Sequence, residues 1–228
     1  MIRHGEAIAR VRGLVKKSSL EVVLTRGKLK ISSRVERVAR KRLLVNQVGK
    51  RLLDFAGNFK TVLFGPWEMS LVTGSPSLRR AFLDNLLFQV DREYRRALLS
   101  YEKGLRQRNK LLFAIREGLT STSPSQLLFW NQLLIKNGNY ISRKREEFVD
   151  FSNKTDSLNK QVFILEYDKN AISESRLEQY SQEEIAAATT LVGPHRDDVQ
   201  FKIQNSKFKI ERNLARYGSR GEQRMGVF

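Results

Sequence analysis

Residues Tyr217-Gly218-Ser219-Arg220-Gly221-Glu222-Gln223-Arg224 set a serine and two glycines at a turn that opens into a helical start. Glycines let backbone N–H groups approach a ligand closely, a serine hydroxyl donates to an oxygen, and a helix N-terminus carries partial positive charge. These residue types suit a phosphate. They are also the ordinary vocabulary of a surface turn, and the stretch by itself carries either reading.

A second polar stretch, Gly193-Pro194-His195-Arg196-Asp197-Asp198, offers an acid/base group or a Mg²⁺ site, or a turn in which an arginine pairs with an aspartate. The chain holds two histidines, His4 and His195, and no cysteine, so a His-based or thiolate metal cluster is excluded and no metal ligand set is expected. Spacing supports no Ser/His/Asp triad and no other catalytic set. The run Val162-Phe163-Ile164-Leu165-Glu166-Tyr167-Asp168 imitates the Mg²⁺-side strand of a P-loop ATPase. No Gly-x-x-x-x-Gly-Lys-Ser/Thr accompanies it, because Gly27-Lys28 and Gly49-Lys50 both lack the upstream glycine and the following hydroxyl residue. It reads as an ordinary strand.

Charge points to a polyanionic partner. The 228 residues carry 42 Lys and Arg against 24 Asp and Glu, a net charge of +18, for which nucleic acid is the commonest match, ahead of an acidic protein or a membrane surface. Residues 1 to 60 alone hold 16 basic and 4 acidic side chains, net +12. No signal-peptide core and no long apolar run is present, so a cytoplasmic protein without a membrane partner is expected.

The elements that position these residues change grammar along the chain. Residues 20 to 33 alternate as two β-prone runs around Arg26-Gly27 and predict a hairpin. The basic run Arg34 to Arg42 is either a phosphate-binding strip or the solvated tip of a further hairpin. Leu43 to Asn46 begins another strand, and Lys60 to Phe64, stopped by Gly65-Pro66, predicts a short buried one. From Ser75-Pro76 the period becomes helical, with Leu78, Phe82, Leu83, Leu86, Leu87 and Val90 on one face. Asp91 caps a second helix of about 27 residues, about 40 Å long, whose apolar stripe runs from Tyr94 to Ile115 before Gly118 ends it. A third helical run starts at Ser125, with Asn137-Gly138-Asn139 as a kink point. Arg92, Arg95, Arg96, Lys103, Arg106, Arg108, Lys110 and Arg116 line the second helix, as a solubilising face or as a groove for a DNA backbone. Strands at 199–203 and 207–210, turning at Asn205-Ser206, lead into the glycine loop.

Three stretches stand in a characteristic order: Gly74-Ser75-Pro76-Ser77-Leu78-Arg79-Arg80-Ala81-Phe82-Leu83-Asp84, then Gly193 to Asp198, then Tyr217 to Arg224. Leu105-Arg106-Gln107-Arg108-Asn109 and Val62-Leu63-Phe64-Gly65-Pro66 support them. Together they closely resemble the RecF family of bacterial DNA replication and repair ATPases, related to structural-maintenance-of-chromosomes and ABC-type proteins. The resemblance implies an α/β fold, a partial ABC-type P-loop ATPase head with β-rich ends and an inserted α-helical hairpin arm. The implied division is 1–74 for the first part of the head, 75–185 for the arm and 186–228 for the second part of the head.

The resemblance also implies function. The glycine loop becomes the signature, with Ser219, Gly221, Gln223 and Arg224 facing ATP held by a second subunit. Arg79, Arg80, Arg106, Arg108, His195 and Arg196 become DNA-binding or arm–head residues. ATP and Mg²⁺ are the implied cofactors, an ATP-dependent homodimer the implied assembly, and single-strand/double-strand DNA junctions, RecO and RecR the implied partners, in support of RecA loading during recombinational repair and the SOS response. Two departures stand out. The Walker A and Walker B segments of the family do not occur, so the chain reads as an internal fragment that does not hydrolyse ATP alone and is poorly soluble. The family's Pro-Glu-Asp-Leu appears as Pro66-Trp67-Glu68-Met69. The alternative reading is a stand-alone basic nucleic-acid-binding module that ignores nucleotide; a structural adaptor for an acidic protein surface rests on charge alone.

Overall fold

Glycine and asparagine turns organise the first of two compact units, Met1–Thr61. The computed structural model describes residues 1–31, 34–63, 65–119, 124–154, 161–205 and 211–227. Strands β1 (Ile8–Val15), β2 (Ser18–Thr25), β5 (Lys41–Val45) and β6 (Val48–Lys50) form an antiparallel sheet in the order β1-β2-β5-β6. The β5–β6 turn uses Asn46 and Gln47, both at positive φ (50° and 67°), the backbone that a two-residue hairpin loop with the right twist requires. Asn46 also accepts from Ser19 N at 2.8 Å, tying the turn to β2.

The expected hairpin around Arg26-Gly27 does not form. Gly27 sits at φ +86° and turns the chain out of the sheet, so β3 (Lys28–Ile31) pairs instead with β4 (Arg34–Arg37) as a separate ribbon. Thr25 staples the exit: its hydroxyl donates to Ala39 O at 2.9 Å and accepts from Gly27 N at 3.0 Å. β2 then takes β5 as its neighbour, in the register Val23 opposite Arg42. A short helix, α1 (Leu52–Phe55), follows β6.

The second unit, Val62–Phe228, begins in irregular chain where a strand is expected. Residues 61–63 are not a buried strand; Val62 and Leu63 are 78% and 72% exposed, and no strand among the described residues pairs with them. An apolar run becomes a buried strand only where a neighbour completes its ladder. A 3-10 turn (Pro66–Met69) and α2 (Ser70–Thr73) lead to α3 (Pro76–Val90), α4 (Arg92–Arg116) and α5 (Pro124–Ser152). Pro76 occupies the first turn of α3, where its missing N–H costs nothing. Asp91 accepts from Glu93 N and Tyr94 N and so caps α4. The 25 residues of α4 span about 37 Å.

α4 and α5 lie antiparallel as a helical hairpin. Its interior is built by Tyr94, Ala97, Tyr101, Leu134 and Ile141, to which Ile172, Leu177 and Val192 add from the chain beyond. Gly138 is a packing glycine within a continuous helix: a Cβ there lies 2.9 Å from Ile172 Cγ2 and 3.1 Å from Tyr101 Cε2. The cationic stripe of α4 also divides. Arg95 and Arg108 are 7% and 3% exposed and belong to the interior, while Arg96 and Arg106 face solvent.

Beyond the hairpin come β7 (Gln161–Asp168), α6 (Glu174–Gln179), α7 (Ser181–Ala187), a 3-10 turn (Pro194–Arg196), β8 (Asp198–Asn205), β9 (Glu211–Asn213), α8 (Leu214–Tyr217) and α9 (Arg220–Met225). The sheet is antiparallel in the order β7-β8-β9, and β7 is paired with β8 along all eight residues, which fits its reading as an ordinary strand. The expected strand at 207–210 lies outside the described residues; β9 follows it. Val72, Ile203 and Leu214 form the small core beneath α8.

Candidate functional site

The glycine loop folds as its residues dictate. Ser219 is the N-cap of α9 in a complete capping box: its hydroxyl accepts from Glu222 N at 3.2 Å, and Glu222 Oε2 accepts from Ser219 N at 2.7 Å. Accepting that bond leaves the Ser219 hydroxyl hydrogen available to a ligand oxygen. Gly221 keeps the approach open, since the nearest atom to a Cβ built there is Ser219 Oγ at 3.9 Å. Ser219, Arg220, Gly221 and Arg224 are all exposed.

Gln223 differs from the other expected signature residues. It is buried, and its amide donates to Leu214 O at 3.2 Å, Gly218 O at 3.3 Å and Ala215 O at 3.5 Å. One side chain thus satisfies the carbonyls where α8 ends and holds the loop against it. Ser219, Gly221 and Arg224 lie on the solvent side of the turn, whose shape Gln223 holds from within.

The stretch from Gly193 to Asp198 is built in the opposite sense. Asp197 is 1% exposed and gathers partners from distant elements: Arg145 Nη1 at 3.1 Å, Asn170 N at 2.7 Å, and the Tyr167 hydroxyl in a short hydrogen bond. Arg145, itself 2% exposed, also donates to Asp84 Oδ1 at 2.8 Å and to Pro194 O at 2.7 Å. Burial by itself lowers an arginine pKa, but Tyr94 and Asp84 facing the guanidinium raise that of Arg145. Burial, and after it the charge of Asp197, pushes the Tyr167 hydroxyl up. The result is a node in which one guanidinium serves two carboxylates, joining α3, α4, α5, β7 and the 3-10 turn.

The expected pairing of Arg196 with an aspartate is replaced by longer-range bonds. Asp198 takes Arg79 in a two-pronged ion pair, Nε at 2.7 Å and Nη2 at 2.9 Å, while Arg79 also reaches Gly74 O. Arg80 donates to Asp197 O at 2.7 Å. Arg108 pairs with the fully buried Glu184 at 2.6 Å and donates to Thr190 and Asn131. Arg79, Arg80 and Arg108 therefore tie the helices to residues 184–198, whereas Arg106 and Arg196 stay exposed.

His195 is held neutral. Its Nε2 lies 3.0 Å from Thr190 O and its Nδ1 2.8 Å from the Tyr101 hydroxyl, so Nε2 carries the hydrogen and Nδ1 accepts. Burial, reinforced by Arg196, Arg80 and Arg108, lowers its pKa to about 4 against the opposing bond to Thr190 O. A Cβ at Gly193, which has φ +124°, falls within contact distance of the Tyr101 hydroxyl, so glycine is needed there both for its backbone and for this bond.

A cleft of about 500 Å³ brings the three motif stretches together: Gly74 and Arg79 from the first, Asp198 from the second, and Arg216 and Tyr217 at the entry to the glycine loop. Sequence reasoning found these stretches by order and type. It missed Arg145, Tyr94, Tyr167, Asn170 and Glu184, and read Asp84 only as the end of the first stretch; for the charged ones the one signal is that buried charges require partners.

The chain is 33% identical over 222 residues to the DNA replication and repair protein RecF of Herpetosiphon aurantiacus, covering 90% of this chain and 55% of that one. The protein of the same description in Roseiflexus castenholzii is 32% identical over 240 residues, covering 95% and 59%, and that of Agathobacter rectalis 30% over 237 residues, covering 98% and 61%. These matches support a RecF-family fragment. Two solved structures of the recombination mediator protein RecF in the RecFOR pathway, one with ATPrS and one with ATP, share its fold with TM-scores of 0.82 and 0.83 at 24% and 23% identity. Each covers 99% of this chain, which covers 62% of each of them. No family model matches the chain. It spans about half to three fifths of the length of the curated RecF relatives it matches. The fold is thus the corresponding part of the RecF fold, sheets with an inserted helical hairpin. No helix among the described residues is long and apolar enough to cross a membrane.

Proposed function

We propose that the chain supplies one side of a shared nucleotide site in a RecF-type DNA replication and repair ATPase. Ser219, Gly221 and Arg224 face the phosphates of ATP bound with Mg²⁺ by a second subunit. The observation that carries this reading is the exposed loop with a hydroxyl hydrogen, an unobstructed glycine and an arginine, in a chain related to RecF along nine tenths of its length. The residues fit the group: each offers a donor or free space to an oxyanion, and none presents an acid to it except Glu222, whose carboxylate serves the capping box. ATP between two subunits supplies negative charge that both sides neutralise, which favours a dimer while the triphosphate is intact.

In this reading the buried node between the α4–α5 hairpin and residues 193–198 fixes the arm to the head, with the division 1–74, 75–185 and 186–228. The dimer holds DNA at single-strand/double-strand junctions and, with RecO and RecR, supports RecA loading in the cytoplasm. The second reading, nucleotide-independent binding of nucleic acid, draws on the concentration of charge in residues 1 to 60.

Association measured by analytical ultracentrifugation on the full-length gene product, with and without ATP and Mg²⁺, separates the two. The first reading expects the mass to double with ATP and Ser219→Arg to remain monomeric. An unchanged mass with ATP, together with DNA affinity indifferent to nucleotide, favours the second.

A further inference from the structure

The register of the first unit leaves β5 longer than its neighbour. Leu43 pairs with Lys50, the last residue of β6, so Lys41 and Arg42 extend two residues past the end of that strand. Past this overhang lies an open groove of about 620 Å³ lined by Lys41, Arg42, Lys50 and Arg51 around Leu43 and Gly49. Among the described residues, no acidic side chain lines it. All four cations are exposed; Arg51 lies 3.5 Å from Asp54, an ion pair at a side chain 83% in water. Arg42 stands on the same rung as Val23 and Arg10, so the basic surface continues over the sheet, about 10 Å to β1. There the buried Glu21 partly balances Arg10 and Arg12.

We propose that this groove is where the protein holds the sugar-phosphate backbone of a nucleic-acid duplex, an inference that deepens the DNA-binding reading above and rests on it. A site for a single phosphate gathers buried, converging donors. Here the donors are hydrated and spread over two strands and the start of α1, so one phosphate gains little, and affinity comes from several phosphates releasing counterions together. An acidic protein surface fits less well, because a stable protein interface needs an apolar centre and the groove has only Leu43 and Leu52. Net charge concentrates here as well: the unit's 16 basic and 4 acidic side chains leave +12. Gly49 keeps the groove clear, with nothing within 4 Å of a Cβ placed on it.

The test is fluorescence anisotropy of a labelled gapped duplex with the full-length gene product across a salt series. Each phosphate contact contributes about 0.9 to the slope of log K against log salt. The quadruple variant Lys41→Ala, Arg42→Ala, Lys50→Ala, Arg51→Ala is expected to lower that slope by about 3 to 4. A second variant, Gly49→Glu, enters open space without disturbing the strand and is expected to weaken binding at least tenfold. The control, Lys136→Ala, Arg143→Ala, Lys154→Ala, Lys169→Ala, removes the same charge from exposed positions elsewhere and keeps the parent slope. Equal slopes for the groove variant and the parent, or equal losses in groove and control variants, overturn the groove assignment and leave the DNA-binding reading standing. A parent protein without salt-sensitive DNA binding overturns both.

Discussion

The node around Asp197 and the loop around Ser219 use similar polar residues to opposite ends. At the node, Arg145 and Asp197 are buried, Asp84 and Tyr167 are half-buried, and the one guanidinium bonds both carboxylates. At the loop, the capping box consumes only what the turn needs, and Ser219, Gly221 and Arg224 stay open. Burial decides the difference. A motif rich in His, Arg and Asp looks reactive in sequence, yet inside the fold its charges hold helices together; the plainer Ser-Arg-Gly loop keeps its valences free for a ligand.

The contrast breaks most visibly at Arg145. Arg145→Met leaves Asp84 and Asp197 without their cation, and removing one partner of a buried pair costs about 3–5 kcal/mol. Urea denaturation followed by tryptophan fluorescence measures this in the second unit alone, because both tryptophans, Trp67 and Trp130, lie within Val62–Phe228. A loss under about 1 kcal/mol places the pair with ordinary surface bridges.

A smaller effect follows from His195. Its folded pKa, about 4, lies below the ordinary value of 6.5, so the folded state binds fewer protons than the unfolded chain. The stability it contributes is fully present above pH 6.5 and is lost as pH falls toward 4, at about 1.4 kcal/mol per pH unit. His195→Gln is expected to flatten the stability profile across that window relative to the parent. Parallel profiles contradict a buried neutral imidazole.

Smallest of the three is the loop. Ser219→Ala removes one cap and costs about 1 kcal/mol or less in the same denaturation experiment. A loss as large as that of Arg145→Met means the loop is structural too.

What was legible in the sequence follows from the range of the interactions involved. The helices α3, α4 and α5 were readable because Ser75-Pro76, Asp91 and Gly118 punctuate a local 3.6-residue period. The Ser219 turn was readable for the same reason: its capping partner is three residues away. Strand pairing was less so. β1 alternates Ala9, Val11, Gly13 and Val15 with Arg10 and Arg12, a period-two signal that its charge obscured, and Gly27 reroutes the chain so that β2 meets β5 across the β3–β4 ribbon. The node was hidden altogether, because Arg79 finds Asp198 and Arg145 finds Asp197 only after the helices have folded back. Exposure was equally invisible: Arg95 and Arg108 share a helix and a residue type with Arg96 and Arg106, and only packing separates the buried pair from the solvated one.

The most direct test of this division of labour measures stability and ATP-dependent dimerisation on the same preparation of Ser219→Arg in the full-length gene product. The exposed capping position predicts a loss of stability no larger than that of Ser219→Ala, about 1 kcal/mol, and no dimer with ATP and Mg²⁺. A variant that loses more than this, or one that dimerises with ATP like the parent, contradicts the assignment of the loop as the nucleotide-facing surface.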